Sequence, residues 1–514
     1  MRVNTLDRLI GIVDPARALK RVAARTMLQR AYEAASPRDS WRPRRGGASA
    51  QADHMADASK LRAKARALVQ NVPYIAASLD ALVDNVVGTG IVPRFTGTSA
   101  KKLNDLWNRW VVECDADGRL DFYGMQAAAY RAMEQDGEVL IRLRPRRLAD
   151  GLTVPLQLQL LEIDWLDSTR NSALGGAPDV AAGNIVIEGI EYDPLGRVAA
   201  YWLWDQHPGD VTVLRSTRNF SKRVPASSVI HLFDPKRPGQ GRGITRLAPV
   251  IARTRDLQLY EDAEIARKNL ETRLGVVVSG EAAEMTNPVG DQPADPDAAR
   301  KTGDLGELGS GAIMSLPPGA GTLTTIEPKP AGGHVEYVGL QLHIITALLG
   351  VTYEMATGDM SQVNFSSARV RSQDVRRGFE RTRWHLLVPR LVTPVTDAFA
   401  TAAKDAGLLV ESAQYSVECD APMWDYVNPQ QEAQADALQV AAGLSSLSAK
   451  HRARGDDPEK VFAEIASDFT KLAAMKVGDG VSVLDVLFFL QKGTLRITDQ
   501  TNSGDVAGDP VTKK

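Results

Sequence analysis

Two long helical segments enclose a stretch of sequence that neither helix can include. The first predicted helix covers residues 244–272 and the second covers residues 335–349. The stretch 281–311 is rich in Pro, Gly, Asp and Ala, and residues 280–307 hold seven acidic but two basic side chains. Because such a composition offers little apolar surface for burial, we expect this stretch to be exposed. The pattern predicts an outstretched helical hairpin with a small, strand-bearing tip.

The sequence before this hairpin changes from helical to strand periodicity near residue 138. Up to Gln135, apolar side chains recur at helical spacing, as Leu103, Leu106 and Trp110 do. Beyond Glu138, branched and aromatic residues predict strands. These strands are expected at residues 138–144, 154–161, 185–192, 198–204 and 229–233. A helical half followed by a sheet half indicates the α+β class.

The sequence after the hairpin is mostly helical. A polar loop over Thr357–Ser366 precedes a helix that starts at Ser367, passes Pro389 and reaches Ala406. Two alanine-rich helices are expected at residues 428–442 and 458–475. We expect the last residues, 500–514, to be disordered.

The composition of the chain is that of a globular protein without a disulfide framework or a membrane helix. Hydrophobic residues make up 44% of the chain and charged residues 24%, as in globular domains. Two cysteines, Cys114 and Cys419, cannot form a disulfide framework, so a reducing compartment is expected. No apolar run reaches the ~20 residues of a membrane helix, and charges interrupt any signal peptide. We therefore expect no membrane partner.

The net charge of −2 conceals an uneven distribution. Residues 1–66 carry fifteen basic and six acidic side chains, a balance of +9, so the remainder carries −11. A basic arm on a mildly acidic body suits nucleic acid or an acidic protein partner. A solvated helical arm that docks on a neighbouring molecule is an equally good interpretation.

The sequence contains no recognisable catalytic constellation. The seven histidines form no HExxH motif, so a zinc hydrolase has no support. The segment Gly239–Gly243 lacks the Gly-Lys-Ser/Thr ending of a phosphate loop and is interpreted as a flexible hinge. Asp115–Gly118 lacks the later ligands of a calcium loop, and Asp136–Glu138 is interpreted as a helix-to-strand turn. We predict that the chain is not an enzyme and has no cofactor or metal.

Several segments, in order along the chain, resemble the lambda-type bacteriophage portal proteins. Residues 66–91 contain Asn71-Val72-Pro73-Tyr74 and Gly88-Thr89-Gly90-Ile91. Further matches are Glu134–Glu138, Leu161–Asp164, Val229–Phe233 with Arg237–Gly243, Gly350–Arg369 and Pro429–Ser446. Together they extend over roughly residues 60–470. The resemblance implies a portal architecture with a wing of helices and strands, a two-helix stem, a small α/β clip and a helical crown.

The resemblance also implies boundaries for these parts. They are a basic arm at 1–58, the wing at 59–243, stem helix 1 at 244–273, the clip at 274–334, stem helix 2 at 335–349, a tunnel loop with wing helices at 350–427, the crown at 428–475 and a tail at 476–514.

By the same resemblance, the chain forms a ring, usually a dodecamer, at the unique capsid vertex of the virion after assembly in the host cytoplasm. The implied partners are double-stranded DNA in the channel, the terminase large subunit, the major capsid protein and the head-completion or tail adaptor proteins. Two alternatives are a nuclease-like DNA-processing enzyme and another capsid scaffold or adaptor component. The first would need clustered carboxylates for paired metals.

The implied DNA path gives the candidate site. The tunnel loop comprises Met360, Ser361, Gln362, Val363, Asn364 and Phe365. The helix after it places Arg369, Arg376 and Arg383 on one face at intervals of seven residues, whereas Val375, Phe379 and Leu386 lie on another. We expect the loop to touch DNA and the three arginines to contact a neighbouring subunit or DNA.

Overall fold

The computed structural model describes residues 49–172, 179–210, 220–273, 333–361, 365–410, 413–424, 429–454, 456 and 458–474. The predicted clip, except for its last two residues, the predicted tail and most of the basic arm lie outside these ranges.

The described helices are α1 (Ala50–Asn71), α2 (Pro73–Val86), α3 (Ala100–Trp110), α4 (Phe122–Asp136), α5 (Ile251–Arg273), α6 (His334–Leu349), α7 (Tyr353–Thr357), α8 (Phe365–Thr382), α9 (Thr393–Asp405), α10 (Pro429–Ala441), α11 (Leu447–Ala453) and α12 (Pro458–Ala474). The strands are β1 (Val92–Thr96), β2 (Glu138–Pro145), β3 (Leu156–Glu162), β4 (Ile185–Ile187), β5 (Ile190–Tyr192), β6 (Val198–Trp204), β7 (Ser221–Pro225), β8 (Val229–Phe233) and β9 (Ser416–Asp420). The α+β class is confirmed.

The chain forms two compact units of very different size. The smaller one consists of residues up to Ala56 with Arg237–Gln240, and within it Arg237 Nη1 lies 2.9 Å from Asp53 Oδ2. The larger one consists of residues 57–236 and 241–514.

Two antiparallel sheets form the strand-rich half of the larger unit. One has the order β3–β2–β8, with Leu143 opposite Leu158 and Leu140 opposite His231. The other has the order β4–β5–β6–β7. The strand predicted over residues 185–192 is two strands, because the chain turns at Gly189 with a φ of +78°.

The main core joins residues that are far apart in the sequence. Trp107 and Trp110 are fully buried and form ring contacts with Phe95, Phe122 and Phe399 at centroid distances of 5.0–6.3 Å. These aromatic residues therefore belong to the main hydrophobic core. A third, two-stranded sheet pairs β1 with β9, so the chain after the insertion completes the fold begun before it.

The predicted paired helices are α5 and α6, which pack against each other. The Tyr260 ring lies 5.5 Å from His334 and 4.7 Å from Tyr337, and Arg253 Nη1 donates to Gln341 Oε1 at 2.7 Å. However, α5 begins at Ile251, seven residues later than predicted. Pro249 explains the difference, since proline disfavours the helical conformation of the preceding residue, and residues 246–250 form turns instead.

The helical path around Pro389 is confirmed. The π-helical segment Arg383–Val392 continues α8 directly, contains Pro389, and leads into α9. Its wider turns replace the regular α-helical hydrogen bonds that a proline would interrupt. Among the described residues, no helix combines the length and the apolar character required to span a bilayer.

Candidate functional site

The predicted tunnel loop begins on a tightly built turn. Helix α7 starts where the Thr352 side chain accepts a hydrogen bond from the Met355 N–H, and it ends at Gly358, whose φ is +71°. The Asp359 carboxylate then accepts a hydrogen bond from the Ser361 N–H at 2.9 Å, which lowers the pKa of Asp359. A fixed turn therefore presents the start of the loop.

The start of this loop is accessible. Met360 is 64% exposed and Ser361 is exposed. Gln362, Val363 and Asn364 lie outside the described residues. Phe365 is the first residue of α8, and its side chain is also outside the described part of the structure.

Helix α8 carries the predicted arginine face. Its apolar positions share a face as predicted, and this face turns inward, with Phe379 buried and Val375 packed against the core, and Leu386 just beyond it is buried too. Near its start, Arg371 Nη1 lies 2.6 Å from Glu354 Oε1 and links the helix to α7. The side chain of Arg369 is outside the described part of the structure.

Arg376 and Arg383 do share a face, but this face meets the same chain. Their guanidinium carbons lie 5.4 and 4.3 Å from the centroid of the Trp424 ring. Both arginines therefore stack on one indole within the protomer.

The prediction that Arg383 contacts DNA or another subunit is corrected by the structure. Arg383 is 3% exposed, and its guanidinium donates to the carbonyls of Val86, Asn85 and Pro422 at 2.7, 2.8 and 3.0 Å. Two of these carbonyls stand at the carboxyl end of α2, where helix carbonyls lack partners and favour a cation. Burial lowers the pKa of Arg383. Its role is to join α2 to the segment after β9.

A different face of α8 points to solvent. Val370 is 67% exposed, Arg377 and Arg381 are exposed, and Trp384, in the following segment, is 42% exposed. Val370, Arg377 and Trp384 also recur at intervals of seven residues, one position after the predicted face. Arg377 has only the nearby, equally exposed Asp374 at 3.6 Å as an ion-pair partner among the described residues.

Two segments by which the sequence resembles portal proteins, Glu134–Glu138 and Arg237–Gly243, meet in a buried ion network. Glu138 receives hydrogen bonds from Arg242 Nη2 at 2.7 Å and from the Gly243 N–H at 2.9 Å, and His231 Nε2 lies 2.9 Å away. Burial lowers the pKa of His231, although Glu138 acts in the opposite direction. The network is a packed junction, because Glu138 and Arg242 are both buried.

The interpretation of Gly239–Gly243 as a flexible hinge is wrong at its carboxyl end. A Cβ added at Gly243 would lie 2.0 Å from the carbonyl oxygen of Gly137, so the two backbones are in direct contact. Arg242 is 1% exposed. Glycine serves here for close packing.

One cluster has the residue types of a metal site. Ligand atoms of Glu162, Asp164 and His207 lie within 4.8 Å of one another. However, Arg62 Nη1 lies 2.8 Å from Asp164 Oδ1, and Arg66 Nη2 lies 2.7 Å from Asp164 Oδ2. Two guanidinium groups thus neutralise the carboxylates that a cation would need, and the described residues give a nuclease centre no support.

Comparison with known proteins identifies the family. The model of the phage portal protein, lambda family, matches residues 35–383 of the 514. The chain belongs to the lambda family of phage portal proteins. The resemblance predicted from the sequence is thereby confirmed, and with it the function of a phage portal protein.

Curated portal proteins are similar over most of the chain. The probable portal protein of Halomonas phage phiHAP-1 is 26% identical over 464 residues, which cover 85% of each chain. The portal protein of Escherichia phage N15 is 21% identical and covers 81% of this chain and 85% of its own. Portal protein B of Escherichia phage lambda is 23% identical over 307 residues, 54% of this chain and 56% of its own.

Among solved structures, a chain from the neck of a native gene transfer agent particle is similar, with a TM-score of 0.37 and 15% identity. It is matched over 83% of the portal chain and 97% of its own length.

Sequence reasoning missed the partners of the arginines rather than the arginines themselves. Trp424 and the carbonyls of Asn85 and Val86 lie far from α8 in sequence, so no local pattern indicates them. The spacing of Val375, Phe379 and Leu386 defines the buried face of the helix. Trp384 lies off that face, and comparing its position with theirs could have revealed the exposed face.

Proposed function

We propose that this portal chain assembles into a ring, most simply a dodecamer, at one vertex of the capsid. Double-stranded DNA passes through the ring during packaging and ejection. The terminase large subunit, the major capsid protein and the head-completion or tail adaptor proteins bind it, and the ring remains in the virion. The single observation that supports this proposal is the match of the portal family to residues 35–383.

The parts of the portal architecture are assigned to the following residues and elements of the structure. Residues 59–243 form the wing, α5 and α6 form the stem, and α10–α12 form the crown. Residues 274–334 form the clip, whose acidic, Pro- and Gly-rich composition suits an exposed binding surface. Deleting residues 284–303 is expected to weaken binding of terminase or adaptor while the fold remains intact. Unchanged binding by intact rings would contradict the clip assignment.

The loop Met360–Phe365 is proposed to line the channel. The exposure of Met360 and Ser361 supports this role. Met360 is flexible and Ser361 is small and polar, so both side chains can touch DNA without forming ion pairs with its phosphates. Substituting Gln362 and Asn364 by alanine is expected to leave the ring normal and to change DNA packaging or retention. Normal packaging by this variant would refute the assignment.

A second copy of the chain is the partner proposed for the exposed face of α8. Trp and Arg are enriched in protein interfaces, and Arg377 and Trp384 lie on this face, beside Arg381. Arg369 and Arg376 are proposed to support the same contact from the adjacent face. Arg376→Glu and Trp384→Ala are both expected to impair the ring, and intact rings in both variants would remove this proposal.

The experiment that tests the function is negative-stain imaging of the purified full chain. Rings with a central hole are expected. A uniform population of single subunits, also in the presence of the major capsid protein, would contradict the proposal. ATPase or metal-dependent nuclease activity that disappears with a carboxylate substitution in this chain would favour the enzymatic alternative.

A further inference from the structure

Four arginines lie within the six residues 142–147, at the end of β2 and just beyond it. Arg142 and Arg144 are two positions apart in the strand, so their side chains project from the same side of the sheet. Their Cα atoms are roughly 7 Å apart. Arg146 and Arg147 follow directly. We call these four residues the arginine patch.

Among the described residues, no carboxylate forms an ion pair with a guanidinium of the arginine patch, although the backbone N–H of Arg147 donates to Asp150 Oδ2 at 2.9 Å. In the β2–β3 register, Arg142 is opposite Gln159 and Arg144 is opposite Gln157. Gln157 Oε1 accepts a hydrogen bond from Arg146 Nε at 2.9 Å. Neutral amides can hold a guanidinium in place, but they do not neutralise it.

Arg142 and Arg144 are half-buried. Among the residues that the structure describes, neither guanidinium forms a hydrogen bond or an ion pair. Burial and the charge of Arg144 lower the pKa of Arg142, while Asp205 acts on it in the opposite direction. Asp205 is itself paired with Lys222 at 2.8 Å. Two like charges side by side on a sheet cost stability.

Other half-buried or buried arginines around this sheet differ from Arg142 and Arg144 because they have acidic partners. Arg62, Arg66, Arg242 and Arg246 each form an ion pair with a glutamate or aspartate of the chain. Cations that are kept without a partner at a thermodynamic cost point to an anion supplied from outside.

We propose that the arginine patch is a docking site for a short acidic segment of a partner protein. Guanidinium groups bind carboxylates in a planar, two-point geometry, and the spacing of Arg142 and Arg144 matches alternate side chains of an extended peptide. Gln159 offers an amide for hydrogen bonds to that peptide. This site is separate from the loop Met360–Phe365 and from the exposed face of α8.

A protein segment fits the observations better than a DNA duplex does. A single DNA-binding module buries roughly 600–1,000 Å², whereas here two guanidiniums project from one strand. The first 66 residues carry +9 and the whole chain −2, so the rest of the chain carries −11. This surrounding negative charge opposes a long polyanion more than a short one.

The test uses the full chain and a short fluorescein-labelled peptide of alternating Glu and Ser, with binding measured by anisotropy. The variant Arg142→Gln/Arg144→Gln is expected to bind it at least about tenfold more weakly than the wild type. The matched control is Arg109→Gln/Arg119→Gln, which removes the same charge from exposed sites elsewhere and is expected to bind normally.

A photoreactive version of the peptide locates the contact and separates the patch from the basic arm. Cross-links are expected in residues 142–161. The melting temperature of the double variant is expected to be equal to or above that of the wild type, because a repulsion is removed. If that variant fails to fold, Arg142→Lys/Arg144→Lys replaces it, with a smaller expected loss of affinity because lysine lacks the two-point geometry.

Three outcomes would overturn the proposal. One is equal loss of peptide binding in the variant and the control. Another is cross-linking confined to residues 1–66. The third is a DNA duplex whose binding depends on Arg142 and Arg144 while the peptide's binding does not, which would assign the patch to nucleic acid.

Discussion

The buried guanidinium of Arg242 encloses the buried carboxylate of Glu138, with Nε 2.9 and 3.0 Å and Nη2 2.7 Å from its oxygens. This pair joins the turn between α4 and β2 to the segment that leads into α5. Both residues lie in segments by which the sequence resembles portal proteins. The chemistry of these segments therefore serves to fix β2 against the segment that leads into α5.

Breaking this pair should strongly destabilise the fold. Glu138→Gln is expected to lower the free energy of unfolding by about 3–5 kcal/mol, because it leaves Arg242 buried without a counter-charge. Urea denaturation measures the change. Asp468→Asn, which breaks an exposed pair with Lys471, is the control and should stay within about 0.5 kcal/mol. Equal effects of the two substitutions would contradict a structural role for the pair.

Because the backbones of Gly243 and Gly137 are in contact, adding a single methyl group at Gly243 is expected to cause a large loss of folding stability. Gly243→Ala is expected to cost at least about 3 kcal/mol or to prevent folding, because no flexible side chain can move aside. Gly378→Ala, in the open middle of α8, should instead stabilise the protein by up to about 1 kcal/mol. Thermal unfolding compares them, and tolerance of Gly243→Ala would restore the hinge interpretation.

Substituting Arg383 and substituting Arg377 should change the stability of the fold by different amounts, although the two residues lie close together in the sequence. Arg383→Lys is expected to lose about 1–3 kcal/mol of stability, since one ammonium cannot satisfy three carbonyls at once. Arg377→Lys should change stability by less than about 0.5 kcal/mol. If Arg383→Lys unfolds like the wild type, its assignment to the protomer interior is incorrect.

The buried His231 predicts a pH dependence with a definite sign. Burial lowers the pKa of His231 below its ordinary value of 6.5, with Arg242 and Arg390 acting in the same direction and Glu138 against it. The unfolded chain therefore binds a proton more readily, and the free energy of unfolding falls as the pH drops below about 6.5.

His231→Gln should flatten this decline between about pH 7 and pH 5, whereas His385→Gln, at an exposed position, should preserve it. Denaturation at several pH values provides the comparison. An identical slope in the wild type and His231→Gln would show that other groups cause the decline.

Local patterns predicted the elements of this fold well. The helix ending at Leu349 before Gly350, the strand Val229–Phe233 and the helical path through Pro389 follow from periodicity and from glycine and proline. The start of α5 at Ile251 was missed because the apolar stripe continues upstream of Pro249. In that case, the conformational effect of proline overrides the hydrophobic pattern.

Long-range relationships could not be predicted in the same way. The pairing of β1 with β9 joins residues more than three hundred positions apart, and neither strand has a strong pattern of its own. For the candidate site, the arginine helix was located correctly, but its contacts with Trp424 required the tertiary structure. A seven-residue interval identifies a shared face, whereas the direction of that face depends on its distant partners.

Mass photometry of the purified full chain tests the central claim most directly, because the proposed function requires a closed ring of identical subunits. We expect one dominant species with the mass of a complete ring, most simply twelve copies of the 55.7 kDa chain, and its loss in Arg376→Glu. A single species at 55.7 kDa at every concentration, and with the major capsid protein present, would contradict the account.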